Sequence, residues 1–414
     1  MLIASLVFAA AAATAAPPIP LDRAEHAFAE ARLASEEEGG RLWGRQLYGP
    51  MIFVDPKTRF AVANQADANG ALKADGRVFT ATLPPNVTIA NTATTWSGVK
   101  WTMVMWPAVG ERATSQRALL LHECFHRIQD DAGFPATQGD NAHLDTLDGR
   151  YWFLLELRAL ARALRNEGRA TAIADALVFR AKRRALFPNA AANEQLLEAN
   201  EALAEYTGFA LRGTPDAESR LAFARRLDNV DKDTSFVRGF AYLTGPAYGL
   251  LLDALDPGWT RRLKKSDDLP AVLSKAANVT PAGDAAARAQ AYGGAELRAE
   301  EEHRDAVHRE LLAKYRALLV DGPTLELPMA NANFGFDPNA VIPLGDAGNV
   351  HPNLSVTGDW GVITTSRGAR ITPDFKAFYF PAADRENLTL KEGWEIVAGP
   401  RAGDLRVVRK APHP

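Results

Sequence analysis

The residues most able to do chemistry lie in Leu119–Gln129, which reads Leu-Leu-Leu-His-Glu-Cys-Phe-His-Arg-Ile-Gln. Its apolar residues recur at helical spacing. His122 and His126, four residues apart, therefore stack on one helical face and can reach a single metal ion. Imidazole nitrogen is a good donor to zinc, and Glu123 beside the first histidine is placed to deprotonate a metal-bound water. Two histidines and a glutamate on an otherwise apolar helix also need a reason to be there, because burying unpaired polar groups is costly. The expected cofactor is Zn2+, held in part by His122 and His126, with Glu123 as the general base.

The rest of the composition narrows the setting. Net charge is −3 and the charged residues are interleaved, which argues against a nucleic-acid surface or a polybasic membrane patch. Met1–Ala16 reads MLIASLVFAAAAATAA and is followed by Pro17-Pro18. An apolar run ending in small residues has the shape of a secretory signal, so cleavage near Ala16 and a secreted or periplasmic location are expected, with no stable membrane insertion afterwards. The chain has 1 cysteine. Cys124 can form no intrachain disulfide, and its position between the histidines points it away from their face, as a small core residue.

These residues must be positioned by elements, and the pattern of the chain changes three times. Leu21–Glu38 reads as an amphipathic helix. Strand-like runs follow at Met51–Val54, Phe60–Ala63, Arg77–Thr82 and Lys100–Trp106, separated by Asp-Pro, Asn-Gly, Asp-Gly and Pro-Pro breakers. From Ala113 the 3.6-residue pattern predicts helices at Ala113–Asp131, Asp148–Asn166, Ala170–Leu186, Ala190–Leu211, Asp216–Asp228, Ser235–Leu255, Leu269–Ala277 and Asp284–Leu319. Beyond Gly322, short strands recur at Thr324–Leu327, Leu354–Val356, Gly361–Thr364, Ala377–Phe380, Trp394–Val397 and Leu405–Val408. The expected fold class is α+β. A small, mainly antiparallel sheet (45–110) leads into a largely helical part (111–320), the two forming one catalytic domain (17–320), and a β-rich module (321–414) closes the chain.

A sheet, a metal-bearing helix and further helices, in that order, resemble the gluzincin branch of the zincin metallopeptidases over about Met51 to Leu255. The second motif of the resemblance is Asn200-Glu201-Ala202-Leu203-Ala204-Glu205. It is similar to the Asn-Glu-Ala-x-x-Asp of thermolysin-like enzymes and to the Asn-Glu-Gly-x-Ala-Glu-Tyr of other gluzincins. The resemblance implies that Glu201 is the third zinc ligand and that Glu205, one turn on, orients a ligand histidine. Glu205 stands where the thermolysin-like form has aspartate, and the gap from His126 to Glu201 is longer than in that family. A rival third ligand is Glu156, a lone acid in the apolar run Tyr151–Leu157, whose other reading is a buried partner of an arginine.

Gluzincins generally add a tyrosine or histidine opposite the zinc to stabilise the oxyanion. Here the candidates are Tyr206, Tyr242, Tyr248 and His143, with Tyr248 preferred and Tyr242 next. The implied activity is hydrolysis of peptide bonds in a peptide or protein substrate, which the sheet could bind along its edge. The alternative is a zinc-containing binding or accessory protein with the same site and no useful turnover. No Gly-x-Ser-x-Gly elbow supports a serine hydrolase.

Overall fold

The computed structural model describes residues 17–137, 139–337 and 340–411. The signal-like segment Met1–Ala16 lies outside the described residues. The fold is α+β. Described residues up to Arg298 form one compact unit, and those from Ala299 onward form a second.

In the first unit, helix α1 (Leu21–Glu38) precedes six strands: β1 (Met51–Val54), β2 (Phe60–Ala63), β3 (Lys73–Asp75), β4 (Val78–Thr82), β5 (Thr92–Trp96) and β6 (Val99–Met105). They form one sheet in the order β3-β4-β2-β1-β6-β5, antiparallel throughout except for the β1–β6 pair. The sequence pattern missed β3 and β5. Strand β5 forms a hairpin with β6 through Ser97 (φ 49°) and Gly98 (φ 79°). Two successive positive φ values are the geometry of a tight hairpin turn, usually signalled by Asn-Gly, and Ser-Gly is a weaker cue. Strand β5 is left as one free edge of the sheet.

The helices that follow are α2 (Ala113–Ile128), α3 (Leu147–Leu164), α4 (Arg169–Leu186), α5 (Ala190–Leu197), α6 (Leu203–Ala210), α7 (Asp216–Leu227), α8 (Gly239–Leu255), α9 (Leu269–Ala276), α10 (Ala285–Ala289) and α11 (Gly294–Arg316). Helix α2 lies between the sheet strands β5 and β6 on one side and α6 on the other, and α6 in turn packs on α8. The expected helix Ala190–Leu211 is present, but α5 and α6 are joined by a π-helical turn at Glu198–Ala202, where the Leu203 amide bonds the Glu198 carbonyl. The single helix expected over Asp284–Leu319 is broken instead, because Gly293 adopts a left-handed φ of 69° between α10 and α11. Glycine takes that conformation at little cost.

Two glycines set the spacing that the site needs. A Cβ on Gly208 of α6 would lie 2.2 Å from the Ala118 carbonyl oxygen and 3.2 Å from the His122 Cβ. A Cβ on Gly245 of α8 would lie 2.2 Å from the carbonyl oxygen of Ala202. Both positions permit backbone approach closer than any side chain would allow. They bring α2, the π-helical turn and α8 together within a core containing Leu120, Phe125, Leu203 and Leu250.

In the second unit the end of α11 packs through Tyr315, and Leu319 just beyond it, against Leu344 and Val350. Two sheets of seven and four strands follow, including all six strands expected from the sequence. A core of Leu325, Val356, Trp360, Ile363, Phe378 and Phe380 is buried among them. Among the described residues of the whole chain, no helix is long and apolar enough to cross a membrane.

Candidate metal centre

His122 and His126 project from α2 toward Glu201, which the π-helical turn presents from the other side. Single donor atoms of these three residues all lie within 4.8 Å of one another. The two histidine Nε2 atoms are 3.1 Å apart, and the Glu201 Oε2 is 3.8 Å from one and 3.7 Å from the other. A π-helical turn displaces side chains relative to an α-helix and is frequent at functional sites.

The hydrogen-bond network decides what these atoms can do. The Nδ1 of His122 lies 3.0 Å from Glu205 Oε2. An ionised carboxylate only accepts, so His122 carries a hydrogen on Nδ1, and in the neutral ring its Nε2 is the lone pair. His126 is fixed by a longer chain. Asn200 donates from Nδ2 to Glu201 (3.3 Å) and accepts on Oδ1 from Gln129 Nε2 (3.0 Å), which leaves Gln129 Oε1 to face His126 Nδ1 at 2.6 Å. Because the chain starts at an acceptor-only carboxylate, each amide orientation follows, His126 carries a hydrogen on Nδ1, and in the neutral ring its Nε2 is the lone pair. In the neutral rings two imidazole lone pairs and a carboxylate oxygen thus converge.

That donor set fits zinc. Tetrahedral ligands at about 2.0–2.2 Å from zinc are separated from one another by about 3.3–3.6 Å. The observed spacings of 3.1, 3.7 and 3.8 Å bracket this range. Glu123, buried one residue after His122, has an Oε2 with no hydrogen-bond partner. Burial pushes its pKa above the ordinary glutamate value, although the adjacent imidazoles pull the other way. Burial also opposes ionisation of Glu201, yet the facing His126 imidazole and the Tyr242 hydroxyl bring its carboxyl down to about 2. The His126 imidazole is in turn held above its ordinary value in spite of its burial, through Glu201 and Glu123. The field favours any cation at this point, and protons compete with a metal for the same nitrogens.

The other expected residues fall into two groups. Tyr242 comes to the cluster: its hydroxyl donates to Glu201 Oε2 at 2.6 Å and its ring stacks on His122 with centroids 5.8 Å apart. Arg238, which the sequence reading did not single out, also reaches Glu201, at 3.1 Å. Tyr248, the preferred tyrosine, is not brought there. Its side chain is fully buried and its hydroxyl donates to Glu156 at 2.9 Å. Six residues along a helix is neither three nor four nor seven, so Tyr242 and Tyr248 leave α8 on different faces.

Glu156 is likewise remote from the histidines and is met by Arg180 and Arg183. His143 bonds Glu194 at 3.0 Å, and Tyr206 donates to Asp253 at 2.7 Å. Cys124 is buried, its thiol pushed up to about 12 by burial, as expected of a core residue.

Gln129 and Asn200 were not assigned roles from the sequence. Gln129 sits three residues after His126, a spacing at which helical side chains meet, and that was the available signal. The cluster opens into a cleft of about 920 Å3, lined also by Asn91, Thr92 and Ala93 at the start of β5. No protein-family model, curated protein or solved structure matches this chain.

Proposed function

We propose that this chain is a zinc-dependent metallopeptidase of the gluzincin kind, exported from the cytoplasm and acting on peptide or protein substrates. The observation that carries the reading is the convergence of three metal-ligating atoms, His122 Nε2, His126 Nε2 and Glu201 Oε2, beside the unpartnered carboxylate oxygen of Glu123. His122, His126 and Glu201 would hold the ion, with Glu205 and Gln129 fixing the two imidazoles.

Zinc, when bound, supplies Lewis acidity, activating water and polarising the substrate carbonyl. Glu123 accepts the proton of the attacking water and passes it to the departing amine. Its Oε2, which no other group engages, is available for both transfers. Tyr242, rather than Tyr248, is the hydroxyl close enough to donate to a developing oxyanion, once its bond to Glu201 is exchanged for one to substrate. The edge of β5 along the cleft can add an extended peptide as a further strand.

Metal analysis and a peptide-library digest test this together. The purified protein should carry about one zinc per chain and cleave peptides. Glu123→Gln should keep the zinc and lose turnover by about 100- to 10,000-fold. Full turnover in that variant would remove Glu123 as the base, and a protein that takes up no zinc would end the reading. Amino-terminal sequencing of exported protein, expected to begin near Pro17, tests the location separately.

A further inference from the structure

We propose that Arg212 anchors a carboxylate of the substrate, so that the cleft selects peptides with an acidic group at a fixed distance to one side of the bond that is cut. The proposal rests on the peptidase reading for its substrate, but on different residues for its evidence.

Four cations line the cleft: Lys100, Arg212, Arg226 and Arg238. Three are matched by an acid of the same cleft. Lys100 pairs with Asp130 at 3.0 Å, Arg226 with Glu205 at 3.1 Å and Arg238 with Glu201 at 3.1 Å. Arg212 makes no ion pair among the described residues. Glu218 acts on it only through space, and burial pushes its pKa below the ordinary arginine value.

Its guanidinium is held in place all the same. The central carbon lies 3.7 Å from the centroid of the Phe209 ring, and its Nε is shielded from solvent without a partner. A guanidinium stacked on an aromatic face keeps a fixed plane, and its terminal amines then match a carboxylate in two parallel hydrogen bonds. A partly desolvated cation with no acid in contact gains more from such a partner than a solvated one does.

Arg212 stands to one side of the cluster. Glu201, Glu205 and Phe209 follow one another at four-residue intervals, and Arg212 comes just after the end of α6. Arg212 is eleven residues on from Glu201, so the cleft that holds the cluster reaches it well to one side. The carboxylate could be an Asp or Glu side chain or the free end of a short peptide.

The test uses zinc-loaded Glu123→Gln protein and fluorescent ten-residue peptides, acetylated and amidated, with one Asp, Asn or Lys moved through the positions. A second set carries no acidic side chain but a free carboxyl end at varying distance. Zinc content and thermal midpoint are measured for every variant. At one position Asp should bind about tenfold tighter than Asn. Arg212→Ala should erase that difference, Arg212→Lys should keep part of it, and Arg212→Glu should turn it toward Lys.

If only the free-end peptides gain, and lose the gain in Arg212→Ala, the same anchor reads a chain terminus. Equal binding of Asp and Asn peptides with no free-end gain, or a preference that survives Arg212→Ala, overturns the proposal. Wild-type cleavage of the same peptides separates the two readings. Cleavage without discrimination removes the Arg212 anchor alone. Discrimination in binding with no cleavage of any peptide removes the peptidase reading alone.

Discussion

Tyr242 and Tyr248 leave one helix six residues apart, and each ends on a carboxylate of a different polar cluster. The cluster of Tyr248 is closed. Glu156 is met by Arg180 and Arg183, Glu194 by Arg183 (2.9 Å), Arg184 (2.7 Å) and His143 (3.0 Å), and Glu198 by Arg180 (2.6 Å). Three glutamates face three arginines, and Arg180 and Arg183 are essentially buried. The cluster of Tyr242 is open. Its two arginines, Arg226 and Arg238, reach in from exposed positions, while at its centre two imidazole lone pairs and a carboxylate oxygen face one another. Buried charge has to be balanced. One cluster does so with its own arginines, and the other presents the donor set of a divalent cation. Buried acids alone would therefore not have distinguished a candidate site from a structural brace; the convergence of two imidazoles on a carboxylate does.

The same near-isosteric change in each cluster gives the largest contrast. Glu194→Gln leaves Arg183, Arg184 and His143 short of a charge, and should destabilise the protein by about 3–5 kcal/mol in denaturant unfolding while the folded variant keeps its zinc. Glu201→Gln should lose stoichiometric zinc. In chelator, with no metal in either protein, it should cost less stability than Glu194→Gln does, because Arg238, the arginine that Glu201 would leave, is exposed and returns to water. Equal destabilisation of the metal-free proteins would erase the distinction between the clusters.

The tyrosines sharpen it further. Tyr242→Phe should lower kcat by about 100- to 1000-fold, as loss of an oxyanion donor, with zinc content retained. Tyr248→Phe should instead cost about 1–3 kcal/mol of stability, as loss of a buried donor to Glu156, and leave kcat near its original value. Kinetics and unfolding curves on the two variants decide it, and the reverse pattern would return the catalytic role to Tyr248.

The smallest effect belongs to the groups that orient the histidines. Glu205→Ala and Gln129→Ala should each weaken zinc binding by about ten- to a hundredfold, measured by competition with a chelator of known affinity. Unchanged affinity in both would mean that the imidazoles need no such support.

Much of this arrangement was legible along the chain. His122 and His126 share a face because a helix has 3.6 residues per turn, and the apolar residues around them announce the helix. Glu201 and Glu205 could be paired with them only through resemblance to a known motif, since nothing in local spacing links residue 201 to residue 126. The helical segments were marked by periodicity, apart from the break at Gly293, where one glycine in a left-handed turn outweighed a continuous pattern. Strand β5 was hidden because its Ser-Gly turn is not a usual hairpin signal.

By itself, then, the sequence determined the α+β order of elements and the His-Glu-x-x-His face, because both follow from local periodicity. The tertiary structure alone decided which tyrosine joins the histidines, that Glu156 belongs to arginines, and that Gln129 and Asn200 set the His126 lone pair. Those outcomes depend on how closely α2, α6 and α8 approach at Gly208 and Gly245. That distance is set by packing between segments far apart in the chain, and no local pattern carries it.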